Sequence, residues 1–205
     1  MKTKISVIVP VNNGLLFKKF CGKSKDLTDD FVIMSKSPSA AAAYNYGMRK
    51  AKYDICVCCH QDVFFPPGWR DGLIIPKDKF GVLGLYGVDM RGNDVGHIQD
   101  PHGYRKVGIM PAEAQSVDEL CMIIDRRSGL EFDEELGGWH FYGADICLQA
   151  IVKGLKNYVI DNLAIHASGG VMDNSFALML NKFEKKWEGK SPIETFHTTC
   201  AKVFL

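Results

Sequence analysis

The stretch Cys56-Val57-Cys58-Cys59-His60-Gln61-Asp62-Val63-Phe64-Phe65-Pro66-Pro67-Gly68-Trp69 sets three cysteines, a histidine and an aspartate just ahead of an aromatic, proline-broken turn. Structural zinc needs a tetrahedral set of ligands, usually supplied by paired Cys or His knuckles on turns. On a strand, positions 56 and 58 point to one face and position 59 to the other. No second knuckle follows, because Cys121, Cys147 and Cys200 are isolated. The cysteines therefore read as the packing of a buried strand. A nucleophilic Cys59 would need a base aimed at it, and His60, its neighbour on a strand, diverges from it. What remains is His60-Gln61-Asp62 at the carboxyl end of a central strand, where open α/β sheets gather their ligand sites. Residues 60 and 62 share a side there, and a carboxylate in that place suits Mg2+ or Mn2+.

Working outward, Ile5-Ser6-Val7-Ile8-Val9 is a β-branched run of strand length, closed by Pro10 and the turn Asn12-Asn13-Gly14. Phe31 to Met34 is a second strand. Ser37-Pro38-Ser39 opens a helix in which Ala40, Ala43, Tyr44, Gly47, Met48 and Ala51 recur at helical spacing. Asp54 to Cys59 is then a third strand. A strand, a helix and a strand at this spacing predict a parallel pair with a crossover helix. Further on, 80–86, 117–125 and 158–160 read as strands, with helix also open for 117–125. The stretch 89–111 reads as a long surface loop or hairpin, 141–153 as a helix ended by Gly154, and 176–187 as an amphipathic helix. The expected whole is one α/β domain over 1–205, with a central, mostly parallel sheet flanked by helices and a helical tail over 176–205.

The 205 residues, 46% of them hydrophobic, suffice for a substantial core. A formal net charge of +1 gives no global field to recruit nucleic acid. Seven cysteines without disulfide spacing point to a reducing cytoplasm. No segment approaches transmembrane length, which leaves peripheral rest on a membrane open. A phosphate-cradling G-x-x-x-x-G-K-[ST] loop is missing, which weakens the reading as an unrelated nucleotide-binding protein. His97, Asp100 and His102 have ligand chemistry but sit in a turn with Pro101 and Gly103.

Three pieces in order, ISVIVPVNN, SAAAAYNYGMRKAKYDICVCCHQDVFFPPGW and FDEELGGWHFYGADICLQAIVKGLKNYVIDNLAIHASGG, resemble family 2 glycosyltransferases of the GT-A (Rossmann-like) fold, and most closely a small StrF-like subgroup. The resemblance covers roughly residues 4 to 190. It implies an inverting, metal-assisted transfer from a nucleotide-diphosphate sugar to a hydroxyl of a glycan, lipid-linked or small-molecule acceptor, of the kind used in cell-surface polysaccharide biosynthesis. The Asp-x-Asp metal motif falls on His60-Gln61-Asp62, with His60 in the first aspartate's place and His166 as a further residue near metal and diphosphate. Pro10, Asn12, Asn45 and Gln61 join the donor side by the same resemblance, and Trp139, His140 and Tyr142 the acceptor side. Asp145 takes the place of the general base. It also shares a helix side with Gln149, away from the apolar stripe, so it is expected to face a cleft. The aspartate that reads the donor base in many relatives is replaced by Ser35-Lys36-Ser37. That change and His60 motivate an alternative, a GT-A-like module that binds a nucleotide or glycan without turnover.

Overall fold

The computed structural model describes residues 3–24, 26–170 and 173–205. In chain order the strands begin with β1 (Ile5–Pro10), then helix α1 (Gly14–Lys19), β2 (Phe31–Met34), helix α2 (Ala40–Lys50), β3 (Ile55–Cys59) and β4 (Val63–Phe64). Next come β5 (Val82–Gly84), β6 (Tyr86–Asp89), β7 (Asp94–Asp100), β8 (Gly103–Val107), β9 (Ala112–Val117) and β10 (Cys121–Asp125). The chain continues with helix α3 (Tyr142–Val152), β11 (Asn157–Val159), β12 (Ala164–His166), helix α4 (Asn174–Trp187), β13 (Thr195–His197) and β14 (Lys202–Phe204).

One large sheet runs β2-β1-β3-β10-β5-β11-β9-β6-β7-β12-β4, with β8 hung on β7. As expected, β1 lies parallel between β2 and β3, and α2 is the crossover. Parallel pairing recurs at β5 with β11 and at β7 with β12, and the other pairs are antiparallel. The sheet is thus mixed, with its parallel character concentrated at the β2-β1-β3 edge.

Each face of the β1–β3 region buries a different core. Ile8, Cys56 and Cys58 face the helices α2 and α3, whereas Val7, Val9, Val57 and Cys59 face the side of Trp69, Leu73 and Phe80. Burial holds the Cys56 thiol up to about 12 and pushes Cys58 well above its ordinary range. These are packing groups, as the strand reading expected, and all seven cysteines are free thiols. Helix α2 opens on Ser39, whose side chain accepts from the Ala42 amide. It lies so close to β1 that a Cβ on Gly47 would come 2.2 Å from Ile8 Cγ2. Only glycine allows that approach.

Three expectations are refined. The run 80–86 breaks at Leu85 into β5 and β6, which lie apart in the sheet. The stretch 89–111 is largely the hairpin β7–β8. The helical tail ends at Trp187, because Gly189 takes a left-handed φ of 65° and the chain then turns back as the β13–β14 hairpin.

Candidate active site

Strand β3 ends at Cys59, and the next residues are placed by two backbone hydrogen bonds. The His60 amide donates to Leu120 O at the mouth of β10 (3.0 Å), and the Ala167 amide donates to Asp62 O (3.0 Å). Antiparallel β4 and β12 pair His166 with Val63. That register, not sequence proximity, sets His166 beside Asp62. His166 Nε2 lies 3.5 Å from His60 Nδ1 and 3.4 Å from Asp62 Oδ1. One ligand atom from each of the three falls within 4.8 Å of the others, the one such cluster found among the described residues.

The donor set fits a divalent cation. Burial lowers the His60 imidazole to about 4, helped by His166, so it is neutral at physiological pH and offers a lone pair. For Asp62, burial alone would raise the carboxyl, but His166 and His60 bring it below the usual carboxylate range, so it stays ionised. The far nitrogen of His60, Nε2, shares a 2.9 Å hydrogen bond with the Tyr142 hydroxyl. That partner fixes the ring and leaves Nδ1, on the His166 side, as the nitrogen free for an ion. Two imidazoles with one carboxylate suit Mn2+ better than Mg2+, which prefers oxygen throughout.

The triad stands at the junction of two lobes of one cleft. A lobe of about 320 Å³ is lined by Pro10, Asn12, Lys36, Ser37, Gln61 and Tyr142, among others. A lobe of about 760 Å³ is lined by Asp118, Glu119, His140, Ala144, His166 and the β7–β8 hairpin, among others. His60, Asp62 and Trp139 line both. Trp139 is 48% exposed, so its ring is offered to the cleft and not to the core. In contrast Trp69 and Trp187 are buried.

Gln61 contributes through its side chain, which holds the backbone of the β1–α1 turn. Its Oε1 accepts from the Asn12 and Asn13 amides, and its Nε2 donates to Asn12 Oδ1, which clips the β1–α1 turn to the end of β3. His140 packs against Phe176 in the larger lobe, and burial lowers its imidazole. Phe141, which precedes α3, holds a left-handed φ of 63°. Its ring is packed on Phe176 and Phe183, which keeps that costly conformation in place.

Two expected site residues are elsewhere. Asn45 is buried and spans to the 132–134 segment, donating to Phe132 O and Glu134 Oε1 and accepting from the Phe132 amide. It is a strut between α2 and that segment, outside both lobes. Asp145 is fully buried and faces away from the cleft: it accepts from Trp187 Nε1 (2.8 Å) and Gln149 Nε2 (2.7 Å) and pairs with Lys186 Nζ (2.5 Å). The shared side with Gln149 is real, but α4 covers it. The positions of α3 that do line the cleft are Tyr142 and Ala144, neither of which offers a carboxylate.

Of the second-metal candidates, two are engaged otherwise, while His102 lines the larger lobe. His97 bonds Asp161 and Tyr104, and Asp100 pairs with Arg105. Lys36 and Ser37, which stand where the resemblance expected a base-reading acid, line the smaller lobe, and Asp118 and Glu119 are cleft residues that local pattern did not single out.

No family model matches the chain. It is 27% identical over 172 residues to "ATP synthase subunits region ORF 6" of Fuscovulum blasticum, covering 77% of this chain and 69% of that one. Among solved structures it resembles GalNAc-T7 with UDP, GalNAc and Mn2+ at a TM-score of 0.64 and 13% identity, over 91% of this chain. It spans about half of that protein, 48%. It also resembles the mannosyltransferase PcManGT of Pyrobaculum calidifontis with GDP-Man and Mn2+, at 0.56 and 14%, over 94% of this chain and 66% of that one. A third likeness is to the catalytic domain of Drosophila β1,4-galactosyltransferase 7 with xylobiose, at 0.54 and 12%, over 86% and 79%. At such identities the likeness speaks for architecture, and the architecture is the GT-A fold of nucleotide-sugar glycosyltransferases.

Proposed function

We propose that this chain is an inverting, metal-assisted glycosyltransferase of the family 2 type, in its small StrF-like subgroup, acting on a nucleotide-diphosphate sugar and a hydroxyl acceptor. The observation that carries the reading is the His60–Asp62–His166 cluster at the junction of the two lobes. Its solved neighbours hold Mn2+ with UDP or GDP-mannose, which agrees with the donor set here.

The smaller lobe takes the nucleotide, with Lys36 and Ser37 at the position where relatives place a base-reading acid. A cation held by His60, Asp62 and His166 would neutralise charge developing on the leaving diphosphate. Tyr142 keeps the His60 ring oriented, and Gln61 with Asn12 keeps the β1–α1 turn in place under the nucleotide. Trp139 offers an aromatic face to the sugar between the lobes. The larger lobe, with His140 and Trp139 on its wall, takes a glycan, lipid-linked or small-molecule acceptor. Six buried free thiols suit a cytoplasmic setting. No helix among the described residues is long and apolar enough to cross a membrane.

The test is release of nucleoside diphosphate from a panel of UDP-, GDP- and dTDP-sugars with Mn2+, comparing wild type with Asp62→Ala. Release from one donor, abolished in the variant, is the expected result. The burial of Asp145 favours one competing reading, a binding module without turnover. That reading expects Mn2+-dependent nucleotide binding with no release from any donor.

A further inference from the structure

Within the cleft, one carboxylate stands where the buried helix aspartate was expected to act. The backbone bond from His60 to Leu120 O brings the 118–120 turn to the end of β3. Glu119 then reaches the start of α3, where its Oε1 accepts from the Gly143 amide at 2.8 Å. Gly143 adjoins Tyr142, whose hydroxyl is bonded to His60. The Glu119 carboxylate is thus tied by short links to the triad on one side and opens on the larger lobe on the other. Its second oxygen, Oε2, has no hydrogen-bond partner among the described residues.

The neighbouring acid is differently placed. Asp118 accepts from the Leu120 amide with one oxygen and from the Thr199 hydroxyl with the other, so it serves the turn and the C-terminal hairpin. Ala144 has no acid and Asp145 is covered by α4. We infer that Glu119 is the general base of the transfer, accepting the proton of the acceptor hydroxyl on Oε2 while the Gly143 amide holds Oε1.

This assignment rests on the glycosyltransferase reading. In the step, the acceptor O–H bond breaks and its proton passes to Glu119. The oxygen lone pair forms the new bond to the anomeric carbon, and the bond from that carbon to the diphosphate oxygen breaks with its electrons leaving on the nucleoside diphosphate. Glu119 later returns the proton to water. Burial and Asp118 raise the carboxyl to about 8 against the pull of the Gly143 amide, so the base form is a minor fraction at neutral pH and transfer is expected to rise as pH rises toward that value.

The experiment uses the nucleotide sugar turned over by wild type, with Mn2+ and two probe nucleophiles. Water must lose a proton in the attack, whereas azide is already an anion and needs no base. Glu119→Gln is expected to bind UDP or GDP with Mn2+ as wild type does, and to lose water-dependent release about 10²-fold or more in kcat with little change in KM. Azide is expected to restore release with formation of the glycosyl azide. Glu119→Asp, which draws the carboxylate back, is expected to retain an intermediate rate and keeps the test open if the glutamine variant misfolds. Unchanged hydrolysis in a folded Glu119→Gln, or equal loss with water and azide, would overturn the base assignment while leaving the donor site intact. Failure of wild type to bind any nucleoside diphosphate would overturn the glycosyltransferase reading first and this assignment with it.

Discussion

Asp62 at the end of β3 and Asp145 at the start of α3 are both aspartates at the end of a secondary element, and the fold treats them in opposite ways. Asp62 keeps an edge on the cleft, with two histidines facing it. Asp145 has no exposed surface, and its ligands are a lysine, an indole N–H and a neighbouring amide. One carboxylate is kept available for a ligand, and the other is spent on joining α4 to α3. An acid at a helix start is therefore no guide to catalysis until what packs on that helix is known.

The contrast predicts a separation of stability from binding. The largest effect belongs to Asp145→Ala, which opens a buried void, leaves Trp187 Nε1 and Gln149 Nε2 without their acceptor and leaves Lys186 with Asp133 as its one remaining ion-pair partner. Loss of about 3 kcal/mol is expected from chemical denaturation. Asp62→Ala should change stability by no more than about 1 kcal/mol, yet weaken Mn2+ binding about 10- to 100-fold in a calorimetric titration. Were Asp145→Ala silent in denaturation, the distinction between strut and ligand would fail.

A third prediction concerns the turn between the two regions. Glu119 holds its proton up to about 8 in the fold, while an unfolded glutamate releases it near 4.5. Between those values the native state binds more protons than the unfolded one, so wild type loses stability as pH rises through the window. Glu119→Gln has no such titration. Its stability relative to wild type should grow by about 2 kcal/mol between about pH 5 and about pH 8, less than full linkage because the carboxyl keeps access to the cleft. A constant difference across that range would mean an ordinary, solvated glutamate. The smallest effect is a count: an aromatic disulfide reagent should label Cys200 in native protein and the other six thiols only after denaturation, since Cys200 is the one exposed cysteine.

Much of the fold was legible because its elements are written locally. The β-branched run of β1, the Ser39 cap of α2 and the all-buried β3 each follow from period and punctuation. The His60–Asp62–His166 cluster was legible in part for the same reason, since His60 and Asp62 share one side of a strand end. Their meeting with His166 depends on the β4–β12 register, which pattern alone does not specify but the family resemblance anticipated. Asp145 was misread because its polar side looked free until α4, beginning nearly 30 residues later in the chain at Asn174, closed over it. Glu119 went unnoticed for a matching reason. Within 117–125 it is an ordinary polar residue of a strand run, and its role arises only where β10 meets β3 and α3.

The most direct test of the central claim is pulsed electron paramagnetic resonance of Mn2+ bound to the protein with UDP or GDP. The account predicts nitrogen modulation from two imidazoles, reduced to one in His60→Ala or His166→Ala and unaltered in Asp145→Asn, with phosphorus coupling from the nucleotide. Mn2+ bound without imidazole nitrogen, or a signal indifferent to His60 and His166, would contradict it.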